Sequence, residues 1–147
     1  MKDKNWMEMV KKQGQLRHFG SMAIKKAKKN KQTSAQEIDL LFRMAIATQP
    51  VTPSKLTVSM GISKTIISRL IEQLLTKKFI EKEVDTLDKR SYVITITALG
   101  KEEIDKMYNY YLQPLYLLKE KMGEDKFEEF FQLMEEANEI LRQGEES

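Results

Sequence analysis

Apolar residues recur along most of this chain at spacings of three and four, which places them on one face of an α-helix. A first helix is predicted from about residue 5 to residue 29. Ser34 and Glu37 then form the pattern of a capping box, in which each side chain accepts a backbone N–H of the other residue. The second helix is predicted to begin there and to end at about Thr48, because Pro50 cannot continue it. Its apolar positions are Ile38, Leu41, Ala45 and Ile46.

A short helix, a turn and a longer helix are predicted next. Thr52 is predicted to cap the short helix, with Pro53 at its first position. Gly61 permits a tight turn, and Ser63 is predicted to cap the longer helix. The buried stripe of the longer helix is Ile67, Leu70, Ile71 and Leu74. This order of elements predicts a helix-turn-helix, whose second helix can enter the major groove of DNA.

The apolar period changes to two in residues 79–97, and this spacing is typical of β-strands. Strands are predicted at residues 79–84 and 91–97, with a charged loop at residues 85–90 between them. Because the hairpin follows a helix-turn-helix directly, it is interpreted as a wing.

Two further helices are predicted after the hairpin. Thr97 caps the first of them, which runs from Ala98 to about residue 121, and Gly123 separates it from the last. The predicted fold class is mainly α with a small β-hairpin wing. The chain of 147 residues is predicted to be a single domain, with a winged helix-turn-helix lobe at 34–97 and flanking helices at 5–29 and 98–142.

Polar residues occupy the outward side of the longer helix near its start. Lys64, Thr65, Ser68 and Arg69 lie opposite the predicted buried stripe, and Ser63 is the cap just before them. Lysine and arginine can donate to guanine or phosphate, and short hydroxyl side chains permit a close approach to base edges. These five residues are the candidate DNA-binding residues of the helix.

Asp88, Lys89 and Arg90 stand together at the predicted tip of the hairpin. A wing tip can reach the minor groove, where the negative potential attracts arginine, so Arg90 is predicted to insert there. Asp88 repels phosphate, and its predicted role is to pair with Arg90 or Lys89 and hold it in position. Taken alone, such a cluster is more typical of an ordinary charged hairpin tip. The preceding helix-turn-helix favours DNA contact.

Charge is distributed unevenly along the chain, although the formal net charge is only +3. Residues 1–100 carry 19 Lys/Arg and 9 Asp/Glu, whereas residues 119–147 carry 4 and 10. One part of the molecule is therefore suited to a polyanion and the other is not. The lysine-rich residues 25–31 are interpreted as a solvated helix end, with a phosphate contact as the alternative.

Composition argues against several kinds of site. The chain has no cysteine and one histidine, so thiol chemistry is excluded and a histidine-rich metal site is not expected. We expect no cofactor, no metal and no enzyme activity, since no nucleophile–base set, phosphate loop or pair of acids is recognisable. No apolar run is long enough to cross a bilayer and no signal peptide opens the sequence, so a cytoplasmic protein is expected.

These features resemble the MarR family of winged-helix transcription regulators. The residues that match are the turn MGIS (60–63), the helix SKTIISRLIEQL (63–74), the wing DKRS (88–91) and Thr97-x-x-Gly100. Family members carry an Asp-Arg-Arg wing, so Lys89 is a departure in its middle. A second departure is Lys77-Lys78-Phe79, where the family has Lys-Gly-Leu. The missing glycine implies a strained or differently closed helix end.

The resemblance implies a homodimer, built by the first helix and the last two, that binds a pseudo-palindromic DNA operator. Its half-sites would lie about one DNA turn apart, roughly 34 Å. The resemblance also implies repression that a small phenolic or apolar ligand relieves. The absent cysteine argues against the thiol-oxidised branch of the family, and the single histidine, His18, against a zinc-sensing branch. Met and Tyr residues of the last two helices fit dimer packing, with a ligand pocket as the alternative.

Two other functions are left open by the sequence. An enzyme is disfavoured because no catalytic set is recognisable. A helical protein-interaction module, which would use the winged helix to bind a protein partner, is disfavoured by the basic residues on the longer helix and the wing.

Overall fold

The structure, a computed structural model, describes residues 3–26, 33–84 and 92–146. Within these ranges one antiparallel hairpin accompanies a mainly helical chain, which confirms the predicted fold class. The elements in chain order are α1 (Trp6–Ala23), α2 (Ala35–Ile46), α3 (Pro53–Met60), α4 (Lys64–Thr76), β1 (Ile80–Val84), β2 (Tyr92–Ile96), α5 (Ala98–Met122) and α6 (Glu124–Glu146).

The chain divides into two compact units. One unit is Lys25–Tyr110, and the other combines the residues up to Ile24 with those from Tyr111 onward. The buried apolar side chains among the described residues all belong to the first unit. They are Ile38, Leu40, Leu41, Met44, Leu56, Ile67, Leu70, Ile71, Leu74, Ile80, Ile94 and Met107.

The second unit is held together by an aromatic cluster. Phe19 of α1 lies edge-to-face against Phe130 of α6, with ring centres 5.4 Å apart. Phe131 contacts Phe127 at 4.9 Å and Phe130 at 5.2 Å. Such aromatic pairs contribute about 0.5–1.5 kcal/mol each beyond their burial. Nevertheless, none of the residues described in this unit is fully buried.

α1 is shorter than predicted, and its end has a tertiary cause. The helix ends at Ala23, and Ile24 takes an extended conformation. The Tyr110 hydroxyl donates to the Lys26 carbonyl at 3.1 Å, and the Lys25 ammonium lies 5.4 Å from the centre of the Tyr110 ring. Because these contacts hold residues 25 and 26 outside a helix, the predicted continuation to residue 29 is wrong for residues 24–26. Residues 27–32 lie outside the described ranges.

The start of α2 was predicted correctly, and its apolar face was predicted correctly only at Ile38 and Leu41. Ser34 Oγ accepts the Glu37 N–H at 3.1 Å, and Glu37 Oε1 accepts the Ser34 N–H at 3.2 Å, so the capping box is confirmed. The last predicted apolar positions, Ala45 and Ile46, are exposed, and the side chain of Ile46 is 79% exposed. The buried face consists of the predicted Ile38 and Leu41 together with Glu37, Leu40 and Met44.

The predicted helix-turn-helix is present as α3 and α4. Thr52 Oγ1 accepts the Lys55 N–H at 3.3 Å and caps α3. Gly61 ends α3 with φ +66°, a left-handed conformation that glycine adopts without strain. Ser63 Oγ accepts the Ile66 N–H at 3.3 Å and caps α4. All three local predictions are therefore confirmed.

The hairpin is joined to the same core. β1 and β2 are antiparallel, with Ile80 opposite Ile96 and Val84 opposite Tyr92. The Val51 carbonyl accepts the Ile94 N–H at 2.9 Å, so the connection between α2 and α3 pairs with the hairpin. The two predicted strands are confirmed, each slightly shortened.

Four residues form what we call the α4–α5 junction: Lys78, Phe79, Thr97 and Gly100. Thr97 Oγ1 donates to the Lys78 carbonyl at 2.7 Å and accepts the Gly100 N–H at 3.0 Å. The Thr97 N–H donates to the Phe79 carbonyl at 3.0 Å. Thr97 therefore caps α5, as predicted, and ties it to the end of α4. A Cβ atom on Gly100 would overlap the Phe79 carbonyl oxygen, so this close approach requires glycine.

We expect Gly100→Ala to lower the free energy of unfolding by about 1–3 kcal/mol, because the added methyl group forces backbone atoms apart. Urea unfolding monitored by circular dichroism measures this change. Gly144→Ala in α6 is the matched control, since a Cβ atom there meets open space and alanine favours the helix. Equal stability of Gly100→Ala and the unmodified protein would show that the junction is not tightly packed.

Candidate nucleic-acid interface

The exposed side of α4 carries the residues that the sequence analysis selected. Lys64, Thr65, Ser68 and Arg69 are all exposed, whereas the opposite stripe of α4 is buried: Ile67, Leu70, Ile71 and Leu74. α4 therefore presents a polar and cationic surface while its other face anchors it in the core.

Ser63 has a structural role at the start of this surface. Its Oγ accepts the Ile66 N–H, which leaves the hydroxyl hydrogen available as a donor. It also lies at the positive end of the helix dipole, which favours an anion such as a phosphate group. Capping and phosphate contact are thus compatible at Ser63.

The exposed side of α4 extends one turn beyond Arg69, the last of the residues predicted from the sequence. Glu72 and Gln73 are exposed and lie four positions after Ser68 and Arg69. Residues four apart occupy the same helix face, so this spacing was the available signal. The Glu72 carboxylate can accept a hydrogen bond from a cytosine amino group, and the Gln73 amide can form hydrogen bonds with adenine.

The end of α4 is fixed by a buried ion pair. The Lys77 ammonium lies 2.6 Å from Glu37 Oε2, and the Glu37 side chain is only 5% exposed. Glu37 Oε1 accepts the Ser34 N–H at the same time, so both carboxylate oxygens have donors. A buried carboxylate is costly unless it is paired and hydrogen-bonded. Glu37 therefore fixes the end of α4 against the start of α2.

The backbone closes α4 by a Schellman motif. The Phe79 N–H donates to the Leu74 carbonyl and the Lys78 N–H to the Leu75 carbonyl, each at 3.0 Å. Lys78 occupies the left-handed position of this motif with φ +65°. The family pattern has glycine at this position, so the strained helix end expected from the sequence is present.

Tyr92, at the start of β2, lies within electrostatic range of Glu72 on α4. Burial, and next the Glu72 carboxylate, raise the pKa of Tyr92 above its ordinary value. The phenol therefore keeps its proton, and its capacity to donate a hydrogen bond, to a higher pH than an ordinary tyrosine. The Lys82 ammonium of β1 lies 4.1 Å from the centre of the Tyr92 ring, a cation–π geometry. Residues from α4, β1 and β2 thus meet at the base of the wing.

The predicted wing-tip residues Asp88, Lys89 and Arg90 lie outside the described residues. Their predicted DNA contacts stay predictions.

Within residues 3–26, 33–84 and 92–146, no group of three or more His, Cys, Asp or Glu residues could hold a metal ion. No helix in this part of the chain is long and apolar enough to span a membrane.

A helix-turn-helix followed by an antiparallel hairpin on one core defines the winged-helix class of DNA-binding fold. The family model for the MarR family matches residues 32–91. A stretch of 48 residues is 40% identical to an uncharacterized HTH-type transcriptional regulator, YwaE, of Bacillus subtilis (strain 168). That stretch is 33% of this chain and 28% of the relative.

Solved structures match over nearly the whole chain. A MarR transcriptional regulator from Methanosarcina mazei Go1 is 20% identical, with 92% of this chain and 98% of that chain covered and a TM-score of 0.72. MepR of S. aureus, solved as a DNA complex, is 17% identical, with 97% and 98% covered and a TM-score of 0.61. At these identities the likeness shows the shared fold. The likeness to the MarR family therefore consists of the family model over residues 32–91 and a fold shared over nearly the whole chain.

Lys78→Gly should raise the free energy of unfolding by about 0.5–1 kcal/mol, because glycine removes left-handed strain but costs additional chain entropy. Thermal and urea unfolding both measure the effect. The same substitution in the body of a helix, Lys101→Gly in α5, is the control and should lower stability by about 1 kcal/mol. Loss of stability in both variants would contradict strain at Lys78.

Proposed function

We propose that this protein is a homodimeric DNA-binding repressor that a small phenolic or apolar molecule releases from a pseudo-palindromic operator. The exposed side of α4 supports this most directly, because cationic and hydroxyl side chains stand on the second helix of a helix-turn-helix. In that arrangement side chains reach base edges when the helix enters the major groove.

Each residue on α4 has a distinct proposed role. Lys64, at the first position of the helix, contacts phosphate together with the capping residue Ser63. Thr65 and Ser68 allow close approach and select bases. Arg69 donates to guanine or to phosphate.

The wing supplies the second proposed contact. Arg90 inserts into the minor groove, while Lys89 contributes to phosphate attraction. Asp88 pairs with one of these cations and orients it. Tyr92, at the start of β2, holds Lys82 of β1 by a cation–π contact at the base of the wing.

The unit outside Lys25–Tyr110 supports the proposed dimer. It consists of α1, the end of α5 and α6, whose large apolar side chains are exposed in number, and exposed apolar surface of this kind marks protein interfaces. These side chains are Trp6, Met7, Met9, Val10, Leu16, Met22, Ile24, Tyr116, Leu117, Leu133, Ile140 and Leu141. Because none of the residues described there is fully buried, a second copy of the chain would supply the missing burial.

Relief by a ligand requires that the ligand binds the DNA-free conformation better than the DNA-bound one. The resemblance to the MarR family is the support for this part of the proposal. No enzyme activity is proposed, since the exposed side of α4 supplies binding groups and no catalytic set.

A protein-interaction module is the competing function. The cations Lys64 and Arg69 on the exposed side of α4 favour DNA, because they match a polyanion. Retention on heparin and on nonspecific duplex DNA at low salt separates the two functions.

Arg69→Ala and Lys64→Ala should each weaken binding to a duplex selected from random DNA. Loss of a base-specific contact costs about 1–3 kcal/mol and relaxes specificity at one position. Loss of a phosphate contact weakens binding to all sequences and reduces the slope of log affinity against log salt concentration by about 1. Lys64→Ala is expected to show the phosphate behaviour. Fluorescence anisotropy at several salt concentrations measures both effects.

Lys106→Ala is the matched control, since it removes the same charge from an exposed position of α5. Unchanged affinity of both α4 variants at physiological salt would show that α4 does not enter the groove.

Light scattering at micromolar concentration should report twice the 17.2 kDa mass of one chain. Leu16→Asp, which places a charge on the exposed apolar face of α1, should shift the protein towards monomer. Ile46→Asp is the matched control, because Ile46 is as exposed as Leu16 but belongs to the other unit. A monomeric unmodified protein would exclude the dimer.

A further inference from the structure

Glu72 is the one carboxylate of α4, and it stands on the exposed side of the helix. Successive helix residues are rotated by about 100°, so Thr65, Arg69 and Glu72 fall within about 60° of one another around the helix axis. All three are exposed, and the buried stripe lies opposite them. If α4 enters a groove of DNA, Glu72 therefore enters it together with Thr65 and Arg69.

The charge of Glu72 is not neutralised by a neighbouring cation. Among the described residues, no lysine or arginine lies within ion-pair distance of its carboxylate. An exposed glutamate is ionised at neutral pH. α4 thus presents an uncompensated negative charge beside the cation Arg69.

The carboxylate of Glu72 also lies near the wing. After burial, Glu72 is the second cause that raises the pKa of Tyr92, the first residue of β2. The Tyr92 ring in turn holds Lys82 of β1, whose ammonium lies 4.1 Å from the ring centre. Glu72 is therefore located where α4 approaches the hairpin, between the two elements that are proposed to contact DNA.

A carboxylate in this position has two opposite effects on DNA binding. It repels the phosphates of any duplex, so it weakens binding to every sequence. It can also accept a hydrogen bond from the amino group of cytosine, which is the only polar group that cytosine presents in the major groove. Guanine and thymine present acceptors there, and adenine presents an acceptor beside its amino group, so these three bases are disfavoured.

We propose that Glu72 is a specificity-determining residue, which selects a cytosine in each half-site of the operator and penalises binding to all other duplexes. The charge-assisted bond to cytosine offsets the repulsion at the operator, and nothing offsets it elsewhere. Glu72 therefore widens the difference between operator affinity and nonspecific affinity. This role rests on the DNA-binding function proposed above, because it concerns the same side of α4.

Glu72→Gln is the test variant, since it removes the charge and keeps the size of the side chain, and circular dichroism establishes that it is folded. Glu128→Gln is the matched control. Glu128 is exposed on α6, in the other unit, and its replacement changes the net charge by the same amount. Fluorescence anisotropy measures the binding of each full-length protein to a random-sequence duplex at one fixed salt concentration.

Glu72→Gln should bind the random-sequence duplex about three- to tenfold more tightly than the unmodified protein, because a charge that repels phosphate is lost. Glu128→Gln should match the unmodified protein to within about twofold, since its charge is not on the DNA-facing side. Equal affinities of all three proteins, or weaker binding by Glu72→Gln, would overturn the penalty assigned to Glu72.

Selection of bound sequences from random duplex DNA gives the second readout. The unmodified protein and Glu128→Gln should both select a cytosine at one fixed position of each half-site. Glu72→Gln should lose this cytosine and keep the preferences at the other positions, so that its ratio of operator to random-sequence affinity falls about tenfold or more. Retention of the cytosine by Glu72→Gln would overturn the base contact.

The two readouts also separate the role of Glu72 from the function on which it rests. If the unmodified protein and Glu72→Gln select the same sequence with the same affinities, the role of Glu72 is overturned and the proposed DNA binding stands. If the unmodified protein binds no duplex, both are overturned.

Discussion

The buried carboxylate of Glu37 links the start of α2 to the end of α4 within the unit Lys25–Tyr110. One oxygen accepts the backbone N–H of Ser34 and the other accepts the Lys77 ammonium. A carboxylate removed from water needs a cation to balance its charge and hydrogen-bond donors for its oxygens. Because Glu37 takes the cation from the end of α4 and the backbone donor from the start of α2, it fixes both. This pairing therefore helps to hold the exposed side of α4 in a defined orientation on the core.

The α4–α5 junction provides a second set of contacts that hold the end of α4. α4 is closed by a Schellman motif whose left-handed residue is a lysine, and the carbonyl of that lysine then receives the Thr97 hydroxyl. Gly100 allows the backbones of the two segments to meet. Strain at Lys78 is thus tolerated where the surrounding contacts fix the backbone, as expected for an unfavourable conformation in a folded protein.

Local chemistry explains which features could be predicted from the sequence. The caps Ser34, Thr52, Ser63 and Thr97 each bond a backbone group only a few residues away, so a short sequence pattern contains all the information. The end of α1 was predicted wrongly because Tyr110, distant in sequence, holds Lys26. The exposure of Ile46 was also missed: the helical period groups Ile46 with Ile38, but the face that packs in the core includes Leu40 and Met44, on the side of α2 away from Ile46. On α4, the helical period predicted the polar side correctly, but the predicted residues ended one turn before Glu72 and Gln73, which lie on the same side.

The α4–α5 junction also has a consequence for local opening. The amide hydrogens of Phe79, Thr97 and Gly100 are bonded to Leu74, Phe79 and Thr97 in turn, so each bond depends on the placement of the next. Groups linked in this way become accessible to solvent deuterium through one cooperative opening and not through separate fraying events. The amides at the end of α4 and the beginning of α5 should therefore share a single free energy of opening, although 17 peptide units separate Phe79 from Ile96 along the chain.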